Sequence, residues 1–218
     1  MKRVIGLLAG LLAVMIGVTG CMNARVSFEQ QAISYLEEKY GTSFTWIEPV
    51  GGQFGSSEKS GHVSTPDFAG KTLFVTGTAG KPETFRDNYA AYRYNEQACT
   101  ILNDAASGVE ESWRAFCVPE EIGLSESAET DALSYLQNGA CMVDLLIGAE
   151  DYENTAKIEQ FCNALNEQGV NANITVYLVD GDARANASRE EYQNMLPEQH
   201  AGRFVMDEQG GFAVSKWR

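Results

Sequence analysis

The chain has 218 residues, and its 16 lysines and arginines against 30 aspartates and glutamates give a formal net charge of −14. This length is sufficient for one large domain or two small ones. Recognition of a phosphate backbone requires clustered lysines and arginines, so the acidic composition argues against nucleic acid as a partner.

An export signal is the first feature in chain order. Lys2 and Arg3 precede an uncharged apolar run over 4–17, which is shorter than the about 20 residues of a membrane-spanning helix. The run leads into the segment VTGC at 18–21. Small residues before a cysteine at this place resemble the lipobox of bacterial lipoproteins. The resemblance implies that residues 1–20 are a signal peptide and that Cys21 becomes the lipidated first residue of the mature chain.

Lipidation at Cys21 predicts where the protein lies. Each buried methylene contributes about 0.8 kcal/mol, and two acyl chains hold a protein stably on a bilayer where one does not. Residues 21–25 form a short predicted tether, so we expect the folded part close to the outer face of the bacterial cytoplasmic membrane, with the membrane as a partner through the lipid anchor. A plain secretory signal with an accidental cysteine and a transmembrane anchor are the alternatives.

The first predicted half, residues 26–118, begins with a helix. Ser27 and Gln30 match a capping box, and apolar residues recur at helical spacing up to Tyr40. The later predicted elements are strands over 42–47, around His62 and Val63 and over 71–78, a loop over 50–60, an ambiguous segment over 84–94, a helix over 90–106, and a strand over 113–118.

A predicted connector over 119–127 leads to the second half, residues 128–218. Ile158, Phe161, Cys162 and Leu165 form a helical stripe, for which Asp151 is the predicted N-cap. The other predicted elements are a helix over 128–137, strands over 142–147 and 174–179, an irregular polar segment over 181–199, and a closing hairpin of 204–206 with 212–214.

These elements predict the α+β class, with helices packed on mainly antiparallel sheet. The segment AISYL at 32–36 returns as ALSYL at 132–136, each on a predicted helix that leads into a strand. Two related helix-then-sheet halves would explain this echo. Chance is the favoured alternative, because few residue types suit an amphipathic helix.

Four cysteines remain when Cys21 is set aside, and an even number outside the cytoplasm permits disulfides. Proximity in sequence favours the pairs Cys99–Cys117 and Cys141–Cys162. The alternative is that they are buried free thiols, which pack like small apolar side chains. The position of Cys162 on an apolar helix face favours that alternative.

The sequence predicts no catalytic set, no cofactor and no metal site. The two histidines, His62 and His200, lie outside any motif that would pair them with a nucleophile. Asp180 and Asp182 could begin a calcium loop, but an arginine stands at a ligand position and the required glycine is absent. A turn is the better interpretation.

An aromatic cluster is the one candidate ligand groove, and it comprises Phe85, Tyr89, Tyr92 and Tyr94. Aromatic rings with neighbouring arginines suit stacking and hydrogen bonding to a sugar or a peptide. The favoured alternative is that these rings belong to the core.

The first half, from the segment at 35–46 through the segment at 85–94, resembles uncharacterised small lipoproteins of Gram-positive gut bacteria, and this resemblance implies no activity. The predicted function is therefore a non-enzymatic, lipid-anchored extracytoplasmic module that binds a peptide, a glycan or an envelope protein. An envelope hydrolase acting on peptide or cell-wall material, and a structural or immunity-type factor, are the alternatives.

Overall fold

The computed structural model describes residues 26–51, 56–119, 131–138, 141–206 and, for the backbone only, 212–217. Cys21, the predicted tether at 21–25 and most of the predicted connector at 119–127 lie outside these residues. No helix in the described ranges is long and apolar enough to cross a membrane.

The first part of the fold is an antiparallel sheet of four strands with one helix packed on it. Its elements are helix α1 (Phe28–Tyr40) and strands β1 (Thr45–Val50), β2 (Glu58–Ser64), β3 (Leu73–Thr78) and β4 (Lys81–Asp87), which lie in the order β1-β2-β3-β4.

Local sequence determines where α1 begins and ends. The Ser27 hydroxyl accepts a hydrogen bond from the Gln30 backbone N–H, and the Gln30 side chain accepts one from the Ser27 backbone, both at 3.2 Å. The predicted capping box is therefore confirmed. Gly41 ends the helix with a φ of 70°, a left-handed conformation that glycine adopts without strain.

The second part is a sheet of five strands with its own helices. Its elements are helices α2 (Tyr89–Val109), α3 (Ala132–Asn138), α4 (Thr155–Asn166) and α5 (Gly181–Ala185), and strands β5 (Arg114–Cys117), β6 (Cys141–Ile147), β7 (Ala172–Leu178), β8 (Gly202–Met206) and β9 (Phe212–Trp217), in the order β5-β6-β7-β8-β9. Strands β6 and β7 pair in parallel, and α4 supplies the long connection that a parallel pair requires, whereas the other pairings among the described strands of this sheet are antiparallel.

The α+β class and the mainly antiparallel sheets are confirmed, as is the closing hairpin, which is formed by β8 and β9. The ambiguous segment over 84–94 divides into the end of β4 and the start of α2. The predicted loop over 50–60 overlaps two strands, because β1 ends at Val50 and β2 begins at Glu58, and residues 52–55 lie outside the described residues.

Two hydrophobic cores divide the chain. One core is formed by buried residues between Phe28 and Tyr89, and the other by buried residues between Ala90 and Met206. Helix α2 and strand β5 therefore pack with the second sheet. The change of core falls at 89–90, upstream of the connector predicted at 119–127, because the apolar face of α2 is buried against the elements that follow it.

Asp151 is not the cap of α4. Asn154 takes that position, and its side chain accepts a hydrogen bond from the Lys157 backbone N–H at 3.3 Å. The Asp151 carboxylate accepts hydrogen bonds from Trp113 Nε1 at 2.8 Å and from Lys157 Nζ at 2.7 Å. Burial raises the pKa of Asp151, but these hydrogen bonds outweigh burial and the net effect lowers it.

Candidate functional site

The four aromatic residues predicted to line a groove pack in or against the hydrophobic cores instead. Phe85 is 2% exposed and stacks on Phe28 with 5.5 Å between ring centroids, and Tyr89 is 4% exposed and stacks on Tyr40 at 4.0 Å. Both rings belong to the core between α1 and the first sheet. Alternation along β4 points Phe85 inward toward α1, which is why it cannot line an open groove.

The two remaining aromatic residues are divided between the cores. Tyr92 packs against the first core and contacts Phe68, with ring centroids 5.7 Å apart. Tyr94 packs against the second core and contacts Tyr135 at 6.4 Å. The helical period separates residues two positions apart, so α2 presents these rings to different neighbours.

A cavity of about 550 Å³ lies beside α2. We name it the α2 cavity, and its lining residues are Glu96, Cys99, Thr100, Asn103 and Asp104 of α2, Phe116 of β5, and Arg189 and Glu190 of the segment after α5. The five α2 residues follow the spacing i, i+3, i+4, i+7, i+8 and therefore share one helix face. Ala98, Leu102 and Ala106, on the adjoining face of α2, are buried in the core.

Two asparagines attach α2 to the edge of the second sheet. Asn103 Oδ1 accepts a hydrogen bond from the Ala115 backbone N–H, and Asn95 Nδ2 donates to the Cys117 carbonyl, both at 3.0 Å. Ala115 and Cys117 lie on β5, the edge strand, so these backbone groups would otherwise lack a strand partner. The two asparagine side chains thus satisfy backbone hydrogen-bonding groups of β5 and hold one wall of the cavity in place.

Arg189 and Glu190 close the cavity from a distant part of the chain. Arg189 Nη1 donates to Asn95 Oδ1 at 3.1 Å, a contact between residues 94 positions apart, and Arg189 also forms an ion pair with Glu190. The segment is held further by Tyr192, whose ring stacks on Phe116 with centroids 4.4 Å apart. The Tyr192 hydroxyl donates to Asp144 Oδ2 at 3.0 Å.

One thiol, Cys99, lines the α2 cavity, and a second, Cys117, lies behind it. Cys99 Sγ and Cys117 Sγ are 3.7 Å apart, and Asn95 Nδ2 lies 3.3 Å from Cys117 Sγ. The hydrogen bond from Cys117 lowers the pKa of Cys99 and outweighs burial, which raises it. The charge of Arg189 lowers this pKa further, and the charge of Glu190 opposes that effect. The same contact, together with burial, raises the pKa of Cys117. Cys99 is therefore the thiol that ionises first.

All four cysteines of the described chain are free and buried. The structure therefore contains neither of the predicted disulfides, although it places Cys99 beside Cys117 as the predicted pairing requires. Burial raises the pKa of Cys141 and of Cys162 to about 12 in each case. The buried-thiol alternative thus holds for Cys162, which lies on the inner face of α4.

His62 and the Asp180–Asp182 segment lie outside the α2 cavity. His62 Nδ1 contacts Glu48 Oε1 at 3.2 Å on the first sheet, and the lining of the cavity includes no histidine. Asp180 precedes the short helix α5, and the buried Arg184 donates to the Val179 carbonyl at 2.8 Å. Residues 181–185 therefore form a short helix with Asp180 at its N-cap position, where the sequence predicts a turn.

Sequence reasoning missed the α2 cavity. The polar residues of α2 carry the signal that could have indicated it, because their helical spacing puts Glu96, Thr100 and Asp104 in one row. No pattern within the sequence joins that row to Arg189, since the contact depends on how the second half folds.

Neither a protein-family model nor a curated protein matches the chain. Among solved structures, the chain is similar to the crystal structure of a DUF5037 family protein from Ruminococcus gnavus, with 12% sequence identity and a TM-score of 0.40. The similarity covers 85% of this chain and 94% of that one.

Proposed function

We propose that the chain is a lipid-anchored extracytoplasmic protein that binds a cationic peptide in the α2 cavity. The anchor is the diacylglyceryl group expected on Cys21. The single observation that supports the binding role is the composition of the cavity, whose lining includes three carboxylates and one guanidinium group.

The polar groups that remain available in the cavity are mainly hydrogen-bond acceptors. Asn103 uses both ends of its amide, because Oδ1 accepts from Ala115 and Nδ2 donates to the Cys99 carbonyl at 2.9 Å. The Thr100 hydroxyl donates to the Glu96 carbonyl at 3.1 Å and keeps only its acceptor sites free. The exposed carboxylates of Glu96 and Asp104 are acceptors as well. A ligand that supplies donors and positive charge, such as a lysine or arginine side chain, complements this set.

A glycan suits the cavity less well than a cationic peptide does. Sugar rings bind by stacking on open aromatic faces, whereas the Phe116 ring is 3% exposed and already stacked on Tyr192. Hydrolysis by a cysteine nucleophile requires a base within hydrogen-bond reach of the thiol. The lining residues supply a thiol at Cys99 without a histidine. Binding is therefore the better supported role.

Titration of the full chain in detergent with two synthetic peptides tests the binding role. The peptides share one sequence, except that the lysines of the first are acetylated in the second. We expect the Glu96→Gln/Asp104→Asn double variant to bind the lysine peptide about tenfold more weakly, which corresponds to about 1.4 kcal/mol. This figure follows from the loss of two partly screened ion pairs.

The matched control is Glu83→Gln, a carboxylate removed from an exposed position on β4 outside the cavity. It should leave the affinity unchanged. Equal binding of the acetylated and unmodified peptides, or equal affinity for the double variant and the wild type, would overturn the proposal.

A further inference from the structure

We infer that Cys99 and Cys117 form a redox-active dithiol at the base of the α2 cavity, which exchanges with low-molecular-weight disulfides that carry positive charge. The preference for positive charge rests on the proposed function, because it uses the same acidic rim. The exchange reaction does not depend on that function.

The arrangement of the two thiols distinguishes an outer and an inner sulfur. Cys99 is 4% exposed and lines the cavity, whereas Cys117 is 2% exposed and is not among the lining residues. A disulfide that enters from solvent therefore meets Cys99 first. The Cys117 sulfur lies 3.7 Å from the Cys99 sulfur. A disulfide bond between the two requires this distance to shorten to about 2.0 Å.

The surroundings favour ionisation of the outer thiol. Thiolates, not thiols, attack disulfides, and nearby cations and hydrogen-bond donors stabilise them. Arg189 is held beside the pair by its hydrogen bond to Asn95, and Asn95 also contacts Cys117. Cys141 and Cys162 are buried without a comparable contact to a cation among the described residues.

The exchange proceeds in two balanced steps. The Cys99 thiolate attacks one sulfur of the incoming disulfide, so a mixed disulfide forms and the first thiolate leaves and takes up a proton. Cys117 then gives up its proton to solvent and attacks the Cys99 sulfur, which releases the second half as a thiol. Two electrons pass from the protein to the small disulfide, and one Cys99–Cys117 bond replaces the bond that was broken.

Cystamine, a disulfide with two ammonium groups, is the probe for this reaction. The reduced full chain in detergent is incubated with cystamine, and its mass and its tryptic peptides are measured. We expect the chain to lose two hydrogen atoms and the peptides over 94–114 and 115–157 to become linked. Because Cys141 shares the second peptide, the measurement is repeated in Cys141→Ala, which should give the same link.

Two further variants separate the roles of the sulfurs. Cys117→Ser should stop at a mixed disulfide between Cys99 and one half of cystamine, whereas Cys99→Ser should keep Cys117 unmodified. Near-ultraviolet circular dichroism checks that each variant retains its tertiary structure. An unmodified wild type in the folded state, or modification of Cys117 in Cys99→Ser at the wild-type rate, would overturn the inference.

Arg189 is a positioning residue in this reaction. Its replacement in Arg189→Gln should move the pH midpoint of the cystamine reaction upward, because the Cys99 thiolate loses a neighbouring positive charge. Arg189→Lys keeps a positive charge at this position, so its pH midpoint should lie between those of the wild type and Arg189→Gln. An unchanged pH profile in Arg189→Gln would contradict this role.

The anionic disulfide dithiodiglycolate distinguishes this inference from the proposed function. If dithiodiglycolate oxidises Cys99 and Cys117 more slowly than cystamine does, both the dithiol and the acidic binding site are supported. Equal rates with a linked Cys99–Cys117 product support the dithiol and contradict the acidic binding site. If neither reagent produces the Cys99–Cys117 bond, the redox-active dithiol is overturned, whereas the proposed binding function is not.

Discussion

At the scale of single residues, Asp87 connects α1 to the first sheet. This carboxylate is 1% exposed and lies at the end of β4. It accepts hydrogen bonds from the hydroxyls of Tyr35 and Tyr40 at 2.9 and 2.7 Å and from Lys39 Nζ at 2.8 Å. All three donors belong to α1, so one buried charge fixes the position of the helix on the sheet.

We predict that Asp87→Ala lowers the free energy of unfolding by about 3–5 kcal/mol, because the Lys39 ammonium group and two part-buried tyrosine hydroxyls lose their shared acceptor. The Lys39 side chain is 8% exposed and therefore has little access to water. Urea unfolding of the full chain in detergent, followed by circular dichroism, measures the change. Glu83→Ala, at an exposed position on the same strand, is the control and should cost less than about 0.5 kcal/mol. Equal effects of the two substitutions would show that the Asp87 cluster contributes nothing.

At the scale of elements, the paired strands β1 and β2 are in close contact where a tryptophan ring of β1 lies over a glycine of β2. The Trp46 ring of β1 covers Gly61 of β2, and a Cβ added to Gly61 would lie 1.9 Å from Trp46 Cη2. The same ring contacts Phe28 of α1 edge-on, with centroids 5.9 Å apart. The absence of a side chain at Gly61 therefore allows the strand pair and the helix to share one tryptophan.

We predict that Gly61→Ala lowers the free energy of unfolding by about 1–3 kcal/mol, because the tryptophan has to leave its place between the strand and α1. Gly108→Ala is the matched control, since an added Cβ there meets nothing within 4 Å and lies near the end of α2. This control should be neutral or more stable by up to about 1 kcal/mol. Thermal and urea unfolding of both variants measure the difference. A Gly61→Ala protein as stable as the wild type would show that Trp46 moves without cost.

At the scale of the whole molecule, the proposed anchor and the α2 cavity belong to different parts of the chain. The described fold begins at Val26, five positions after Cys21, and α1 starts two residues later. The α2 cavity is formed by α2, the edge strand β5 and the segment after α5, which pack with the second sheet. Anchoring and binding can therefore be tested separately by substitution.

We predict that Cys21→Ala abolishes incorporation of a labelled fatty acid in the producing cells and moves the protein from the membrane fraction to the soluble fraction. The reason is that the two acyl chains on this sulfur supply the stable attachment. Cys99→Ser removes a different thiol and should leave both the label and the membrane fraction unchanged. Label retained in Cys21→Ala would contradict the proposed anchor.

Features that depend on neighbours in sequence were predicted correctly. The capping box of α1, the inner stripe of α4 and the β8–β9 hairpin each involve residues a few positions apart, so local backbone preferences and periodicity determine them. The α+β class follows from the same local patterns. Asp151 was assigned to the wrong role, because the indole of Trp113, 38 positions away, competes for its carboxylate.

The α2 cavity was decided only by tertiary structure. The helix over 90–106 and the proximity of Cys99 and Cys117 were predicted from the sequence, but the row of polar side chains on α2 was not identified from it. The fold brings Arg189 to Asn95 across 94 positions and turns Phe85 and Tyr89 into the first core. The physical reason is that burial and contact depend on which faces of the sheets and helices pack together. Local sequence patterns indicate the apolar face of each element, but not the face against which it packs.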